Sequence, residues 1–216
     1  MLDFIIKELT FLRFYILVSI MFIFLNRKIN VKHANLIFQI ILISIFNEIA
    51  LIYFKYTNSK IGLNTTIYSF VNCLLWFKII CNIIDSNKKS VFYYVCLIFT
   101  LFCIVNVLFI EHWRIFNFNV FIAGSLIYLL LFGANCYKKY NENKLTFFQS
   151  NQFLLSFTPV IYFLGFSLIF CFPIKKLFTY IVYDKVILFT IISYFVNIIY
   201  YTLINIYIYK ERKLNA

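Results

Sequence analysis

Seven long apolar stretches, separated by short basic links, occupy almost the whole chain and restrict what it can fold into. Bilayer hydrocarbon is about 30 Å thick, and an α-helix that rises about 1.5 Å per residue needs about 20 apolar residues to cross it. Hydrophobic residues make up 63% of the chain and charged residues 13%, whereas a water-soluble domain carries about 25% charged residues. The chain is therefore predicted to lie in a lipid bilayer.

The sequence predicts one integral membrane domain over residues 1–216, with spans at about 11–25, 34–56, 64–84, 91–110, 118–137, 153–172 and 186–209. Backbone groups in lipid must pair within helices or a closed barrel, and the nearly unbroken apolar runs lack the alternation of barrel strands. We predict an all-α, polytopic bundle of seven transmembrane helices. The first span is short and carries Arg13, so six spans with an interfacial first segment is the alternative.

The basic residues in the links predict the orientation, because Lys and Arg near span ends are retained on the cytoplasmic side. One set of links and the C-terminal tail hold twelve of them: Arg27, Lys28, Lys32, Lys78, Lys88, Lys89, Lys138, Lys139, Lys144, Lys210, Arg212 and Lys213. The opposite set holds eight: Lys7, Arg13, Lys55, Lys60, Arg114, Lys175, Lys176 and Lys185. This asymmetry predicts an N-terminus outside and a cytoplasmic C-terminus. The net charge of +12 is scattered over both sets, which favours anionic lipids over nucleic acid as the counter-charge.

Tyrosines lie in pairs near the predicted span ends, where amphipathic rings favour the headgroup layer. The pairs are Tyr53 and Tyr56, Tyr93 and Tyr94, Tyr137 and Tyr140, Tyr180 and Tyr183, and Tyr207 and Tyr209. We expect them to mark the two membrane interfaces.

The chain shows no pattern typical of a metal site, a cofactor site or a catalytic site. His33 and His112 lie in links, without a second ligand at helical spacing, and no nucleophile and base have a recognisable spacing. Six cysteines lie within or at the ends of spans without a CxxC pair, and we interpret them as small buried hydrophobes: Cys73, Cys81, Cys96, Cys103, Cys136 and Cys171. The sequence therefore predicts neither an enzyme nor a cofactor.

Glu48 is the carboxylate that lies deep within a span. A charge at the bilayer centre costs about 2.5 to 3.5 kcal/mol on insertion scales, so such a residue is usually turned inward, paired or functional. Burial in lipid disfavours the charged form of a carboxyl, so Glu48 is expected to be neutral unless a cation reaches it. Lys55 is seven residues further on, on nearly the same helical face, and can extend from the interface as that cation. Two interpretations remain open: a proton-linked or ligand-binding carboxylate, or a neutral acid that hydrogen bonds between helices.

Other polar residues recur at four-residue spacing, which keeps them near one helical face. The third span has Asn64, Tyr68, Asn72 and Trp76, the seventh has Ser193, Asn197, Tyr201 and Asn205, and the second adds Gln39 and Asn47. Because an unpaired amide in hydrocarbon is unfavourable, these rows are expected to face protein. The candidate ligand-binding residues are Asn47, Glu48, Tyr68, Asn72, Asn197, Tyr201 and Asn205. The alternative is that they only hold helices together, at about 0.6 kcal/mol per contact.

The sixth span contains Pro159 and Gly165. Proline removes a backbone donor and displaces the preceding turn, so we expect a kink at this position. A kink beside the polar rows favours a small cavity.

Short stretches of the chain resemble a broad group of small seven-span inner-membrane proteins from AT-rich Gram-negative bacteria. They are Asn47-Glu48, Asn64-Thr65-Thr66-Ile67-Tyr68, Tyr162-Phe163-Leu164-Gly165 and Asn197-Ile198-Ile199-Tyr200-Tyr201. The third-span stretch in that group is commonly Asn-x-x-Ile-Tyr-Asn, and Ser69 replaces the second Asn here. The group is similar to the seven-span sensory module of bacterial signalling kinases, which implies an inner-membrane location and a signalling role.

The hypothesis that agrees best with these features is a non-enzymatic sensory or regulatory module that acts through a membrane or cytoplasmic protein partner. A small or lipidic ligand among spans two, three and seven would shift helix packing. The first alternative is a small proton-coupled transporter or channel that uses Glu48. The second is a membrane accessory of a defence system.

Overall fold

The computed structural model describes residues 11–25, 33–84, 89–111, 115–171, 180–183 and 186–215. Over these ranges the chain forms α1 (Phe11–Leu25), α2 (Ala34–Tyr56), α3 (Gly62–Ile84), α4 (Lys89–Val105), α5 (Phe118–Asn141), α6 (Asn151–Cys171) and α7 (Leu188–Asn215). A π-helical turn (Asn106–Ile110) extends α4, and a 3-10 turn (Leu145–Gln149) precedes α6. Each predicted apolar stretch is helical over most of its length.

Six of the helices in the described ranges, α2 to α7, are long and apolar enough to cross a membrane. The first, α1, has 15 residues and a length of about 22 Å at the usual rise per residue. The six long helices confirm the prediction of a helical membrane bundle.

A two-stranded hairpin precedes α7, where the sequence predicts a link that ends at residue 185 and a helix from residue 186. Ile181–Tyr183 pairs in antiparallel orientation with Val186–Ile187, and the backbone N–H of Leu188 donates to the carbonyl of Tyr180 at 2.9 Å. Isoleucine and valine favour strands because their branched side chains suit a pleated surface. The last long helix therefore begins at Leu188, two residues later than predicted, and continues to Asn215.

Helix α3 is the central element of the bundle. It packs against α2, α4, α5 and α6, while α1 packs between α2 and α7, and α7 packs extensively along α6. Helices joined by short links alternate in direction, so the bundle has two ends at which the links lie. The hairpin end holds residues 57–61, 115–117 and 180–183, and the tail end holds residues 142–150 and the last turns of α7.

Two glycines allow the helices around the interior to approach closely. A Cβ atom at Gly124 of α5 would lie 2.6 Å from the sulfur of Cys73 on α3, and one at Gly165 of α6 would lie 2.5 Å from Cγ2 of Val196 on α7. Real Cβ atoms do not come this close to other heavy atoms, so the packing of both helix pairs depends on the absence of a side chain at the glycine. These four helices surround the site described below.

The outward faces of the bundle are strongly apolar. More than half of the side-chain surface is exposed at large hydrophobic residues on five different helices: Phe46, Leu101, Leu130, Leu168 and Phe195. Soluble monomers rarely expose contiguous apolar patches of this kind. The surface is suited to contact with lipid acyl chains.

Three residues lie differently from their predicted positions. Gln39 was expected to face protein and is exposed, and Cys171 was expected to be buried and is exposed. Tyr207 was expected at an interface and is 1% exposed, buried with the last turns of α7. Eight of the other predicted interface tyrosines are exposed: Tyr53, Tyr56, Tyr93, Tyr94, Tyr137, Tyr140, Tyr180 and Tyr209. Several residues of the sequence predictions lie outside the described residues: Lys7, Arg27, Lys28, Lys32, Lys88, His112, Arg114, Phe172, Lys175, Lys176 and Lys185.

Candidate functional site

Glu48 forms an ion pair with Arg13, which joins α1 to α2. The Nε atom of Arg13 donates a hydrogen bond to Oε2 of Glu48 at 2.8 Å, and the two side chains are 16% and 25% exposed. The sequence offered Lys55 as a cation that could reach Glu48, and the packing of α1 against α2 brings the guanidinium of Arg13 to the carboxylate. An Arg–carboxylate hydrogen bond is charge-assisted and stronger than one between neutral groups.

Three of the predicted amides form hydrogen bonds between neighbouring helices. Asn64 of α3 donates through Nδ2 to Oδ1 of Asn47 on α2 at 3.0 Å. Asn205 of α7 donates through Nδ2 to the hydroxyl of Ser19 on α1 at 3.2 Å, while its Oδ1 is buried without a partner in the described structure. These residues act as helix–helix contacts in this structure.

Four interior tyrosines, Tyr68, Tyr162, Tyr200 and Tyr201, form what we call the tyrosine cluster. Tyr162, Tyr200 and Tyr201 are buried, and Tyr68 is half-buried. The hydroxyl of Tyr68 on α3 forms a hydrogen bond of 3.2 Å with the hydroxyl of Ser44 on α2, and the side chains of Tyr162 on α6 and Tyr201 on α7 lie next to this bond. The cluster therefore brings α2, α3, α6 and α7 together.

The aromatic rings of the tyrosine cluster are in direct contact. The ring centroids of Tyr162 and Tyr200 are 4.9 Å apart, and those of Tyr200 and Tyr201 are 5.0 Å apart with an interplanar angle of 73°. Offset and edge-to-face pairs of this kind contribute about 0.5 to 1.5 kcal/mol beyond their buried area. The cluster is thus held by ring packing as well as by hydroxyl bonds.

The ion pair lies beside the tyrosine cluster. Glu48 lies four residues after Ser44 on α2, about one helical turn away, and close to Tyr68 and Tyr201. The ion pair with Arg13 and the hydrogen bond of Ser44 with Tyr68 therefore lie on neighbouring turns of the same helix.

Large side chains fill the interior on the tail side of the cluster. Trp76 donates through Nε1 to the hydroxyl of Tyr200 at 2.9 Å, and its ring packs edge-to-face against Tyr128. All three side chains are at most 1% exposed. At this level the described interior is closed by aromatic rings.

Pro159 lies next to this closed region, within α6. The hydroxyl of Tyr128 donates to the carbonyl of Ser156, three residues before the proline, at 2.8 Å. Proline lacks a backbone donor and crowds the preceding turn, so carbonyls in that turn benefit from another donor. Tyr128 supplies one from α5, and the helix continues to Cys171.

A cavity of about 290 Å³ lies on the hairpin side of the cluster, between α3, α5, α6 and α7. Its polar lining residues are Thr65, Tyr68, Ser69 and Tyr162, and its remaining lining residues are six phenylalanines: Phe116, Phe118, Phe121, Phe166, Phe170 and Phe189. Phe116, Phe170 and Phe189 lie near helix ends, which places the mouth of the cavity at the hairpin end. We call this the aromatic cavity.

A second polar network closes the link between α4 and α5. The buried side chain of Asn106 donates through Nδ2 to Oε2 of Glu111 at 2.8 Å and to Oδ1 of Asn117 at 2.9 Å. The same carboxylate oxygen accepts from the backbone N–H of Asn119, in the first turn of α5, at 3.1 Å. A carboxylate at a helix N-terminus satisfies free N–H groups and complements the helix dipole.

The predicted ligand residues are divided between these features. Tyr68 and Tyr201 belong to the tyrosine cluster, and only Tyr68 also lines the aromatic cavity. Asn197 donates to the backbone carbonyl of Ser193 at 2.8 Å, and Asn72 is buried with no hydrogen bond at Oδ1 in the described structure. The structure therefore does not bring the seven residues into one site.

The candidate residues predicted from the sequence do not include several that build the site: Ser44, Tyr162, Tyr200 and the six phenylalanines. Tyrosine and phenylalanine are frequent in this chain, with 17 and 29 copies, so their positions within apolar runs carry little signal. Tyr162 and Tyr200 occur in the stretches that carry the resemblance, and Pro159, three residues before Tyr162, predicted a kink beside a cavity at this level of α6.

Metal-binding groups are scarce in the described part of the chain. Within it, no three His, Cys, Asp or Glu side chains lie close enough together to hold a metal ion. The six cysteines are free thiols, and Cys171 is exposed rather than buried.

These observations define a class of protein: a multi-pass helical membrane protein with an interior cluster of packed tyrosines beside an aromatic cavity. Comparison with known protein families, with curated proteins and with solved structures finds no match to this chain.

Proposed function

We propose that this chain is a seven-span, non-enzymatic sensory or regulatory protein of a bacterial inner membrane, with its N-terminus outside and its C-terminus in the cytoplasm. The observation that carries the proposal is the tyrosine cluster, which lies where four helices meet and borders a cavity. A ligand that contacts Tyr68 or Tyr162 from the cavity would act on the hydrogen bond of Tyr68 with Ser44 of α2 and on the ring contact of Tyr162 with Tyr200 of α7. Coupling of this kind requires an element that a ligand can bias between two arrangements.

The packing of α1 supports its assignment as a membrane span in addition to the six long helices. Ile16, Ser19 and Ile23 are buried against the bundle, and α1 contacts both α2 and α7. A helix of about 22 Å is shorter than the hydrocarbon layer of about 30 Å. The bilayer can adapt to such a helix by thinning, and the ion pair of Arg13 with Glu48 reduces the penalty for the guanidinium.

The closed interior favours sensing over transport. A transporter needs a path between the two membrane faces, whereas Trp76, Tyr128 and Tyr200 fill the described bundle on the tail side of the cavity. Transport remains the second candidate because Glu48 retains partial exposure beside the cluster. Proton uptake into liposomes that contain the purified protein distinguishes the two functions. For a sensory protein, we expect the same slow rate of uptake as in liposomes without protein. A faster rate that the Glu48→Gln variant abolishes would contradict the sensory proposal.

The tail end has the features expected of a surface that a partner or anionic lipids would contact. Lys138, Lys144, Lys210, Arg212 and Lys213 are exposed there. The ammonium of Lys144 donates a hydrogen bond to Glu142 at 2.7 Å and thereby lowers the pKa of that carboxyl below its usual value. Asn151 of α6 also donates to Glu211 of α7 at 3.1 Å, so movement of α6 against α7 would alter this surface.

The partner is tested by a photo-crosslinking amino acid placed at one exposed position at a time in living cells. Leu145 and Leu214 report on the tail end, and Tyr56, which is also exposed, is the matched position at the hairpin end. We expect one discrete protein adduct from the tail-end positions, with a yield that changes in the Tyr162→Phe variant. Absence of adducts at both tail-end positions, or an equal adduct from Tyr56, would contradict the proposal.

A further inference from the structure

We propose that the aromatic cavity binds a small, uncharged, fused-ring aromatic molecule that carries one hydroxyl group. The inference names a ligand class for the proposed sensory function and rests on that function for its biological purpose. Binding itself requires no partner, so it can be tested on the purified chain.

The lining of the cavity favours a flat aromatic ligand. Phe116, Phe118 and Phe170 form a mutual edge-to-face group, with centroid distances of 4.9, 5.3 and 5.2 Å, and Phe121 continues it at 5.1 Å from Phe170. Rings set at steep angles present both edges and faces to the space between them. An aromatic ligand can therefore make stacked and edge-to-face contacts at the same time.

Two phenol hydroxyls of the cavity lie at its inner end, towards the tyrosine cluster. Tyr68 and Tyr162 are neighbours there, and the hydroxyl of Tyr68 forms a hydrogen bond of 3.2 Å with Ser44. Each phenol is both a donor and an acceptor, so the pair can form more hydrogen bonds than this one. A ligand hydroxyl at the inner end can bond with either phenol.

The charge and the size of the cavity restrict the ligand further. None of its ten lining residues is charged, and an ion transferred there from water would lose its solvation without a counter-charge. The volume of about 290 Å³ is roughly twice that of an engineered cavity of about 150 Å³ that binds benzene. A molecule with two fused rings matches this volume.

Two further hollows differ from the aromatic cavity in their lining. One of about 590 Å³ lies between α6 and α7, and one of about 350 Å³ lies beside α3 and α4. Their linings are mostly aliphatic, and the only hydroxyl groups among them are those of Thr66 and Thr100 beside α3 and α4. These outward grooves suit acyl chains, so lipid is the occupant to be distinguished in the test.

The test is an equilibrium titration of the purified full chain in lipid nanodiscs with 2-naphthol, with naphthalene as the probe that lacks the hydroxyl. We expect saturable binding of 2-naphthol at one site per chain and roughly tenfold weaker binding of naphthalene, the effect of one lost hydrogen bond. The Tyr162→Phe variant should reduce this preference for 2-naphthol to less than threefold. Equal affinity for the two probes, or only linear partition into the nanodisc, would overturn the proposal.

Two leucine substitutions locate the binding site. Ser69→Leu places a larger side chain in the aromatic cavity and should abolish saturable binding, whereas Thr100→Leu makes the same kind of change in the groove beside α3 and α4 and should leave it intact. Thermal unfolding of each variant shows whether the chain has folded. If Thr100→Leu removes binding and Ser69→Leu does not, the ligand occupies the outer groove and the proposal is wrong.

The outcome is separable from that of the partner test. Loss of tail-end crosslinks with intact naphthol binding would contradict the sensory function alone. If the tail-end crosslinks change in the Tyr162→Phe variant but the purified chain does not bind 2-naphthol, only the proposed ligand class is contradicted.

Discussion

Arg13 and Glu48 are 35 residues apart in the chain, and their side chains form a hydrogen-bonded ion pair of 2.8 Å between α1 and α2. The pair compensates two charges that would each be unfavourable in lipid. It also lies beside the tyrosine cluster, because Glu48 interacts with Tyr68 and Tyr201. The short first helix and the central site are thus physically connected.

Removal of one member of this pair should destabilise the protein more than removal of both. Glu48→Gln leaves the Arg13 guanidinium without its counter-charge, and we expect the free energy of unfolding to fall by about 2 kcal/mol. This is less than the roughly 3 to 5 kcal/mol lost when a fully buried ion pair is broken, because both groups are partly exposed. The Arg13→Gln, Glu48→Gln double variant should recover at least half of this loss. Thermal unfolding in detergent, followed by circular dichroism, measures both.

Lys55→Gln is the matched control for the ion pair, since Lys55 is an exposed cation on the same helix as Glu48. We expect an unfolding temperature within about 1 °C of the parent, because changes at exposed charges usually have small effects. A Lys55 effect as large as that of Glu48→Gln would show that the lysine, not Arg13, balances the carboxylate.

The bond between Trp76 and Tyr200 should contribute to stability because it satisfies a buried indole N–H. Tyr200→Phe removes the acceptor and is expected to cost about 1 to 2 kcal/mol. Tyr209→Phe, at an exposed position on the same helix, should have no measurable effect. Denaturant unfolding monitored by tryptophan fluorescence in a Trp113→Phe background measures the difference, and equal stabilities would mean that the indole is satisfied in another way.

Gly62 should be sensitive to substitution, whereas Gly133 should tolerate it. A Cβ atom at Gly62 would lie 2.4 Å from the backbone carbonyl carbon of Ile115, and one at Gly133 would meet nothing within 4 Å. Since backbone cannot move aside as a side chain can, Gly62→Ala should destabilise by about 1 to 3 kcal/mol. Gly133→Ala should be neutral or stabilising by up to about 1 kcal/mol. Unfolding temperatures in the same detergent test both, and the reverse order would contradict the described packing of α3 against the α4–α5 link.

Asn106 should be essential for the network at the start of α5. Asn106→Ala removes the donor to Glu111 and Asn117 and leaves buried acceptors unsatisfied, at a cost of about 1 to 3 kcal/mol. Asn141→Ala, at an exposed position at the end of the same α5, is the control. We expect faster amide hydrogen exchange over residues 115–120 in Asn106→Ala and no change there in Asn141→Ala.

The helices could be predicted from the sequence because span length and apolarity follow directly from the bilayer. The row of Asn64, Tyr68, Asn72 and Trp76 was also predictable as an inward face, since four-residue spacing places polar groups on one side of a helix. Lys55 was the natural choice as the partner of Glu48 because it is close in sequence. The actual partner, Arg13, depends on how α1 packs, and no local pattern contains that information.

The aromatic part of the site could not be predicted for a different reason. Tyr162, Tyr200 and Tyr207 occur in apolar runs where a tyrosine can face lipid, headgroups or the interior equally well, and only the tertiary packing decides. Tyr207 shows the ambiguity directly, because it is buried while Tyr209, two residues further along α7, is exposed. Ser44 was predictable from the sequence by the same rule as the other rows, because it lies four residues before Glu48 on the same helix.

The central claim is that the chain crosses a bilayer, with the hairpin end of the bundle on one face and the tail end on the other. Single cysteines at Ser59 and Leu145, placed in a variant that lacks the six native cysteines, can be labelled in intact cells and in inverted vesicles with a membrane-impermeant maleimide. We predict that Ser59→Cys reacts in intact cells and Leu145→Cys reacts only in inverted vesicles. Labelling of both positions from the same face would contradict the proposed arrangement.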